Sequence, residues 1–270
     1  MNGKIIGGIV CIVIGVLIGI LFINDSSKDS TREELINNVV FIEDSSQIDE
    51  ANEGKAIIVT GHPELKQDAV DSKNGIRVKA PYLKRIDEVY KWSHCEKKHR
   101  TADEDYCMQW QSSGTEEFQS DARIGSYIIP YTTLLSLSMP QKALPLTQED
   151  ATRLKMKIDH DGDQQYFATV TGLHRAYVRD RDLEGAKRTS YLYKDLSGFD
   201  TITVLGIQDK GAIVTNDFLS AHSFDRAMSR DEVIAAYKDE QASGFLVGMI
   251  AMVIFILIGG ALVFWGKKIG

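Results

Sequence analysis

The sequence predicts a membrane protein in which two transmembrane helices flank a β-rich α+β extracytoplasmic domain. Two uncharged apolar stretches, Ile5 to Ile23 and Phe245 to Trp265, enclose about 220 largely polar residues. Because an α-helix rises about 1.5 Å per residue, stretches of 19 and 21 residues each cross a hydrocarbon core roughly 30 Å thick. Between them, short runs of β-branched and aromatic residues end at turn-forming residues, which is typical of strands.

The charges around the two stretches predict the orientation of the chain. Lys4 precedes the first stretch, Lys267 and Lys268 follow the second, and the segments 24–27 and 239–243 on their inner sides contain no basic residue. Since cationic flanks stay in the cytoplasm, we expect cytoplasmic termini and a translocated domain. The predicted parts are a cytoplasmic N-terminus (1–4), a transmembrane helix (5–23), the extracytoplasmic domain (24–243), a second transmembrane helix (245–265) and a cytoplasmic C-terminus (266–270).

The first apolar stretch is interpreted as an uncleaved anchor. It is longer than the roughly 7 to 15 apolar residues of a signal peptide, and the segment 22–26 offers no small-x-small cleavage site. Cys11 does not lie in a lipoprotein motif, because Val10 before it is not a small residue.

The charge of the middle segment argues against a nucleic-acid partner. This segment holds all 38 acidic residues but 28 of the 31 basic ones, which leaves a net charge of −10. An acidic domain repels nucleic acid and anionic headgroups. The expected partners are the membrane lipid bilayer and other membrane proteins or a second copy of the chain.

In the first half of the chain we predict a short helix followed by strands. Ser30 and Glu33 have the spacing of a capping box, and Gly54 is placed to end a helical turn in the left-handed conformation. The predicted elements are strands at 38–42, 55–61, 75–79 and 85–96, with a helical turn at 46–52.

In the second half, two further capping boxes predict helices. Thr147 and Asp150 open a predicted helix that ends near residue 157, and Ser229 and Glu232 open one that leads toward the second apolar stretch. The predicted strands are 165–171, 190–193, 201–208 and 212–215, and the last two are joined by a turn at 209–211.

Two cysteines mark the most distinctive local pattern, a predicted antiparallel hairpin. The register that places Cys95 opposite Cys107 also places Trp92 opposite Trp110, with the cysteines and the tryptophans on opposite faces. Cross-strand Cα separations suit a disulfide, and a translocated domain lies in an oxidising compartment. We therefore predict a structural disulfide, and a redox-active pair or a metal site shared with nearby histidines is the alternative.

The same hairpin resembles the LUMA family, also called transmembrane protein 43. Members of that family have an extended Tyr-x-Trp strand, a charged loop and a returning Tyr-x-x-x-Trp strand, which correspond here to Tyr90–Trp92 and Tyr106–Trp110. The resemblance covers about residues 30–260, with further similar segments at 52–61, 75–78, 118, 201–214 and 229–240.

This resemblance implies an integral membrane scaffold or assembly protein without catalytic residues. Such a protein organises membrane protein complexes through its extracytoplasmic domain and its helix packing. Animal members lie in the endoplasmic reticulum and inner nuclear envelope and carry several membrane helices after the domain, whereas this chain carries one. The shorter chain favours a prokaryotic plasma (inner) membrane, with the endoplasmic reticulum or nuclear envelope as the alternative. The two cysteines are not part of the family pattern.

Small residues recur at every fourth position of the first apolar stretch, and the second stretch begins in the same way. Because small residues allow two helix backbones to approach closely, this stripe predicts a packing face toward the other apolar helix or a second copy. Ordinary glycine abundance in membrane helices is the alternative. The predicted helix-packing residues are Gly3, Gly7, Cys11, Gly15, Gly19, Gly244 and Gly248.

Other candidate chemistry is weak, and we predict no catalytic site, metal or cofactor. The acidic run 159–163 resembles the start of a calcium loop, but Gln164 and Val170 stand where an EF-hand needs glycine and glutamate. No nucleophile elbow, phosphate loop or dinucleotide fingerprint occurs. Two hypotheses compete with the scaffold: a ligand or stress sensor acting through a membrane partner, and a membrane-tethered hydrolase with His, Asp and Ser converging in a cleft.

Overall fold

The computed structural model describes residues 3–26, 29–94, 106–171 and 183–268, and it is a β-rich α+β protein, as the sequence predicts. The helices are α1 (Gly3–Ser26), α2 (Asp29–Asn37), α3 (Tyr131–Leu134), α4 (Gln148–Leu154) and α5 (Arg230–Lys268). The strands are β1 (Val40–Ile42), β2 (Ala56–Gly61), β3 (Glu64–Leu65), β4 (Ala69–Asp71), β5 (Ile76–Val78), β6 (Tyr82–His94), β7 (Tyr106–Gln119), β8 (Ala122–Ile124), β9 (Tyr127–Ile129), β10 (Gln141–Ala143), β11 (Lys157–Asp161), β12 (Gln164–Ala168), β13 (Lys187–Lys194), β14 (Ile202–Asp209), β15 (Ala212–Val214) and β16 (His222–Phe224).

The chain divides into two compact units. The first unit combines both ends of the chain, Met1–Asp44 and Thr203–Gly270, with the segment Asp49–Thr60. The second unit consists of Ser45–Ile48 and Gly61–Ile202. The predicted domain 24–243 therefore contains the second unit and part of the first.

The first unit packs helices on a small mixed sheet. Strands β1 and β2 are parallel, β14 lies beside β2, and both β15 and β16 pair with β14 in antiparallel fashion. Apolar residues of β2 and β14 form a core with one side of α2 and the first turns of α5. The fully or nearly fully buried members of this core include Ile36, Ile58, Leu205, Val233 and Tyr237.

The second unit is built on a long antiparallel sheet in the order β11-β12-β13-β6-β7, with β10 also paired to β13. Its apolar side holds a core with α4. Two smaller antiparallel pairings, β4 with β5 and β3-β8-β9, belong to the same unit. The described core residues include Leu83, Phe167 and Tyr191, all without solvent exposure.

Two of the three predicted capping boxes and the predicted turn at 209–211 are confirmed, whereas Ser30 lies inside α2 (Asp29–Asn37) rather than before it. The Thr147 side chain accepts a hydrogen bond from the Asp150 amide at the start of α4, although the helix ends at Leu154 rather than near residue 157. At the start of α5, the Ser229 amide donates to Glu232 Oε2 over 2.8 Å. Lys210 and Gly211 both have positive φ in the β14–β15 turn, which matches a type I′ hairpin.

Candidate functional site

Helix α5 joins the core of the first unit to a long apolar surface. It runs unbroken over 39 residues, so the predicted boundary near residue 243 is not a break in the structure. Val233 and Tyr237 in its first turns are buried in the core. Farther along the same helix, Leu257 is 66% exposed and Phe264 is 67% exposed. One continuous helix therefore contributes to the domain core in its first turns and exposes apolar side chains in its later turns.

The described part of the chain contains one helix long and apolar enough to cross a membrane, the segment Arg230–Trp265 of α5. Helix α1 contains a shorter apolar segment, Ile5–Ile18. Large apolar side chains on α1 are exposed as well, among them Val10 and Leu17. Soluble monomers rarely expose apolar surface that extends along whole helices.

Helices α1 and α5 are antiparallel and touch backbone to backbone at two glycines. A Cβ atom placed on Gly8 would lie 2.7 Å from the carbonyl oxygen of Gly259, and one on Gly259 would lie 2.6 Å from that of Gly8. Farther along, a Cβ on Gly15 would lie 2.9 Å from the Ile256 side chain and 3.3 Å from the Met252 carbonyl. Neither helix could approach its partner this closely with a larger residue at these positions.

The predicted glycine stripe is correct only in part. Gly15 is at the contact and Gly248 is buried, but a Cβ on Gly3 or Gly7 would meet nothing within 4 Å. Cys11 is half-buried. The surroundings of Gly19 and Gly244 lie outside what the structure describes.

The contact instead follows positions 8, 12 and 15 of α1 and 252, 256, 259 and 263 of α5. Steps of four residues drift around a helix by roughly 40° each, whereas alternating steps of four and three keep to one side. The predicted stripe therefore leaves out Gly8, which lies one heptad before Gly15 and is the α1 residue in backbone contact with Gly259.

A groove, here called the collar groove, lies between α2 and α5 beside the predicted membrane surface. Helix α2 contributes one side through its i, i+3, i+4 and i+7 positions, and α5 contributes the other. The groove encloses about 260 Å³. It is lined by Asp29, Arg32, Glu33, Ile36, Tyr237, Lys238 and Gln241.

The two cationic residues that line the collar groove, Arg32 and Lys238, are held differently. Arg32 donates from Nη1 to Asp29 Oδ1 over 2.7 Å and from Nε to the Phe218 carbonyl oxygen over 3.0 Å. Lys238 makes one long hydrogen bond, 3.4 Å from Nζ to Asn37 Oδ1. Arg32 is thus fixed in place, while Lys238 can turn toward a ligand.

A histidine–carboxylate pair links the sheet of the first unit to α5. His222 Nδ1 on β16 lies 3.2 Å from Glu240 Oε2 on α5, and the imidazole packs on Phe224 with ring centroids 4.6 Å apart. Burial lowers the pKa of His222, and the Glu240 carboxylate opposes that shift only in part. The neutral imidazole is therefore favoured in the folded protein.

The cysteine hairpin exists, but its predicted register is wrong by two residues. Trp92 lies opposite Met108, and Tyr90 lies opposite Trp110. The long β6–β7 pairing sets this register, because a bulge beside Asp87 shifts the alignment of the two strands. In the resulting register Tyr90 and Met108 are buried, while Trp92 is 39% exposed. The two tryptophans consequently share a face without being direct partners.

The predicted disulfide remains a prediction. The backbone of Cys107 lies opposite Ser93. Cys95 and the side chain of Cys107 lie outside the described residues, as does the alternative metal or redox role of this pair.

Behind the hairpin, Arg188 is clamped by aromatic and acidic groups of the second unit. Its guanidinium lies 4.0 Å from the Tyr166 ring centroid and 4.6 Å from that of Trp110. It also donates to both carboxylate oxygens of Glu88, over 2.7 and 3.2 Å. These contacts bind β6, β7, β12 and β13 together and indicate a structural role.

A second arginine of this unit is completely enclosed. Arg85 is 1% exposed and donates to Asp71, Asp87 and Glu116 over 2.7, 2.9 and 2.5 Å. Burial on its own would raise the pKa of Asp71, but hydrogen bonds from Arg85, Tyr191 and the Asn74 amide outweigh burial and lower the pKa. Such a network stabilises the fold only while all of its members are present.

The second unit also contains a groove of about 550 Å³ in which catalytic residue types meet. His62 Nδ1 lies 2.9 Å from the Asp200 carbonyl oxygen, and Ser197 Oγ donates to Asp195 over 2.8 Å. Asp195 is in turn paired with Lys142 over 2.9 Å. Among the described residues of this groove, His62 and Ser197 share no hydrogen bond, and each is paired with a different partner.

The described portions of the chain contain no group of three or more His, Cys, Asp or Glu side chains arranged to hold a metal ion. Comparison with known proteins gives no match to a family model, to a characterised protein or to a solved structure. Over the residues that it describes, the structure defines the class: a β-rich α+β protein with one helix long enough and apolar enough to cross a membrane.

Proposed function

We propose that this chain is an integral membrane scaffold or assembly protein of LUMA type. In this account α1 and α5 both span the bilayer as an antiparallel pair, and the β-rich part lies outside the cytoplasm. The observation that carries the proposal is helix α5, whose first turns are part of the domain core and whose later turns expose apolar side chains. A domain fixed to its membrane helix in this way can hold partner proteins at a defined height above the bilayer.

The charges support this orientation. Lys4 in the first turn of α1 and Lys267 and Lys268 at the end of α5 put cationic residues at the same membrane face, as an antiparallel pair of spanning helices requires. The likeness to the LUMA hairpin, the prokaryotic inner membrane and the Cys95–Cys107 disulfide belong to the same proposal.

The lipid-facing sides of the pair supply a surface for other membrane proteins. Gly8 and Gly15 are used inside the pair, whereas Gly7 and Gly260 have open space around them. A partner helix would therefore approach on the Gly7 side, where lipid is otherwise the neighbour.

Crosslinking in intact membranes followed by mass spectrometry tests the scaffold function. We expect reproducible membrane-protein partners or a crosslinked second copy. We also expect Gly7→Leu to abolish this capture while leaving the chain folded, because a Cβ atom at that position meets nothing within 4 Å. If the wild-type chain crosslinks neither to a partner nor to itself, the scaffold proposal is wrong.

A sensor is the second candidate, and the His222–Glu240 pair favours it. This pair connects a sheet strand to the α5 turn that precedes the apolar segment. A change in the outer domain could thus alter the position of α5 and be detected by a partner helix in the membrane. Ligand-dependent changes in α1–α5 crosslinking would distinguish a sensor from a static scaffold.

A further inference from the structure

The collar groove has the position of a lipid-headgroup site if the two-span arrangement is correct. Gln241 lies four residues before Phe245, the first residue of the predicted second span, which is about 6 Å along the helix. The headgroup layer of each leaflet is roughly 5 to 7 Å thick. The lower edge of the groove would therefore lie among the phospholipid headgroups.

The charges of the groove balance. Asp29 and Glu33 oppose Arg32 and Lys238, so the lining as a whole is neutral. Within the described part of the chain, the side chains of Glu33 and Gln241 make no hydrogen bond or ion pair. Lys238 is held by the single long bond to Asn37. The groove thus offers an available cation on α5 and an available carboxylate on α2.

We propose that the collar groove binds the headgroup of a zwitterionic phospholipid with a primary ammonium, a phosphoethanolamine lipid. Lys238, with the fixed charge of Arg32 beside it, would receive the phosphate, and Glu33 and Gln241 would accept hydrogen bonds from the ammonium. The volume of about 260 Å³ suits a headgroup whose acyl chains remain in the bilayer. This inference rests on the proposed membrane function.

Other headgroups fit less well. A phosphocholine group presents a quaternary ammonium, which proteins recognise with several aromatic rings, and Tyr237 is the one aromatic side chain among the described residues that line this groove. An anionic headgroup would face Asp29 and Glu33 without a compensating ammonium. The segment between the two apolar stretches also has 28 basic and 38 acidic residues, a net charge of −10, which repels an anion.

The test is native mass spectrometry of the full chain released from bilayers with equal amounts of phosphoethanolamine, phosphocholine and phosphoglycerol lipids. We expect the phosphoethanolamine lipid to be retained preferentially. Glu33→Gln and Lys238→Gln should each lower its retention about tenfold, since each removes one charge-assisted interaction. Lys238→Arg should keep most of the retention. Glu34→Gln, on the neighbouring exposed position of α2, is the matched control and should change nothing.

Equal retention of all three lipids, preference for phosphoglycerol, or unchanged retention in Lys238→Gln would each overturn the inference. So would complete displacement of the lipid by free phosphoethanolamine, because the ligand would then be a soluble molecule. Alkaline extraction of the same membranes separates the two proposals. A chain that resists extraction but shows no lipid preference refutes this inference alone, and a chain that is extracted refutes the proposed function as well.

Discussion

Arg85 is a buried cation whose removal should lower the stability of the second unit. Its three carboxylate partners come from β4, β6 and β7, and Asp71 among them has no solvent exposure. Replacing Arg85 with methionine leaves the Asp71 carboxylate buried without its cation, which we expect to cost about 3–5 kcal/mol of unfolding free energy. Chemical denaturation in detergent, monitored by the intrinsic fluorescence of the tryptophans, measures this loss.

Arg123 provides the matched control. It forms an ion pair with Glu64 over 2.7 Å, but both side chains are more than half exposed. Arg123→Met should therefore change the unfolding free energy by less than about 1 kcal/mol. Equal effects of the two substitutions would contradict the structural role of the Arg85 network.

His222 should make the stability of the first unit depend on pH. Its folded-state pKa is lowered below the ordinary value of 6.5, mainly by burial. The unfolded chain then binds more protons, so stability is present above pH 6.5 and is lost as the pH falls through the folded pKa. The slope cannot exceed about 1.4 kcal/mol per pH unit for one proton.

Thermal unfolding between pH 7.5 and 5.5 checks this expectation. The wild-type chain should lose stability on acidification, and His222→Asn, which cannot titrate, should lose distinctly less. A wild-type curve that stays flat, or a variant with the same slope as wild type, would show that His222 is not the responsible group.

The α1–α5 contact depends on two glycines that face each other. We expect Gly8→Ala to destabilise the helix pair by about 1–3 kcal/mol, since its Cβ would overlap the Gly259 carbonyl and the Val263 side chain. Gly7→Ala has the same helix-propensity gain but meets open space. A comparison of their melting temperatures in detergent measures the contact, and equal values for the two variants would contradict it.

The starts of α4 and α5 and the β14–β15 turn could be predicted from sequence, while the pairing partners of strands could not. Capping boxes at Thr147 and Ser229 and the Lys210–Gly211 turn use residues adjacent in the chain, so a short window contains the whole signal. The β6–β7 register depends on a bulge and on which of Tyr90 and Trp92 is buried. The sheet around them decides that choice.

The positions at which α1 contacts α5 could not be predicted from sequence either. The sequence shows many glycines in the first apolar stretch, but a stripe at every fourth residue and a heptad both pass through Gly15. Only the antiparallel partner, which brings Gly259 to Gly8, selects between the two patterns. Likewise, the residues near Arg85 in the chain do not predict that Asp71 and Glu116 will pair with it.

At the level of the whole chain, the sequence pattern predicts the β-rich α+β class and the apolar C-terminal helix, and the structure confirms both. The pattern does not predict the division into two units, because the first unit is assembled from both ends of the chain and one internal segment. Contacts between residues about 200 positions apart, such as Arg230 with Asn37, leave no trace in a local window.

In the proposed topology, both helices span a bilayer with the β-rich part outside and the termini inside. Protease treatment of sealed right-side-out vesicles that contain the chain with a tag at each terminus measures this topology. We predict that protease removes the middle of the chain and leaves two short, tagged, protected fragments, whereas in inverted vesicles the tags are lost and the middle survives. Loss of either tag in right-side-out vesicles, or complete protection of the chain there, would contradict the account.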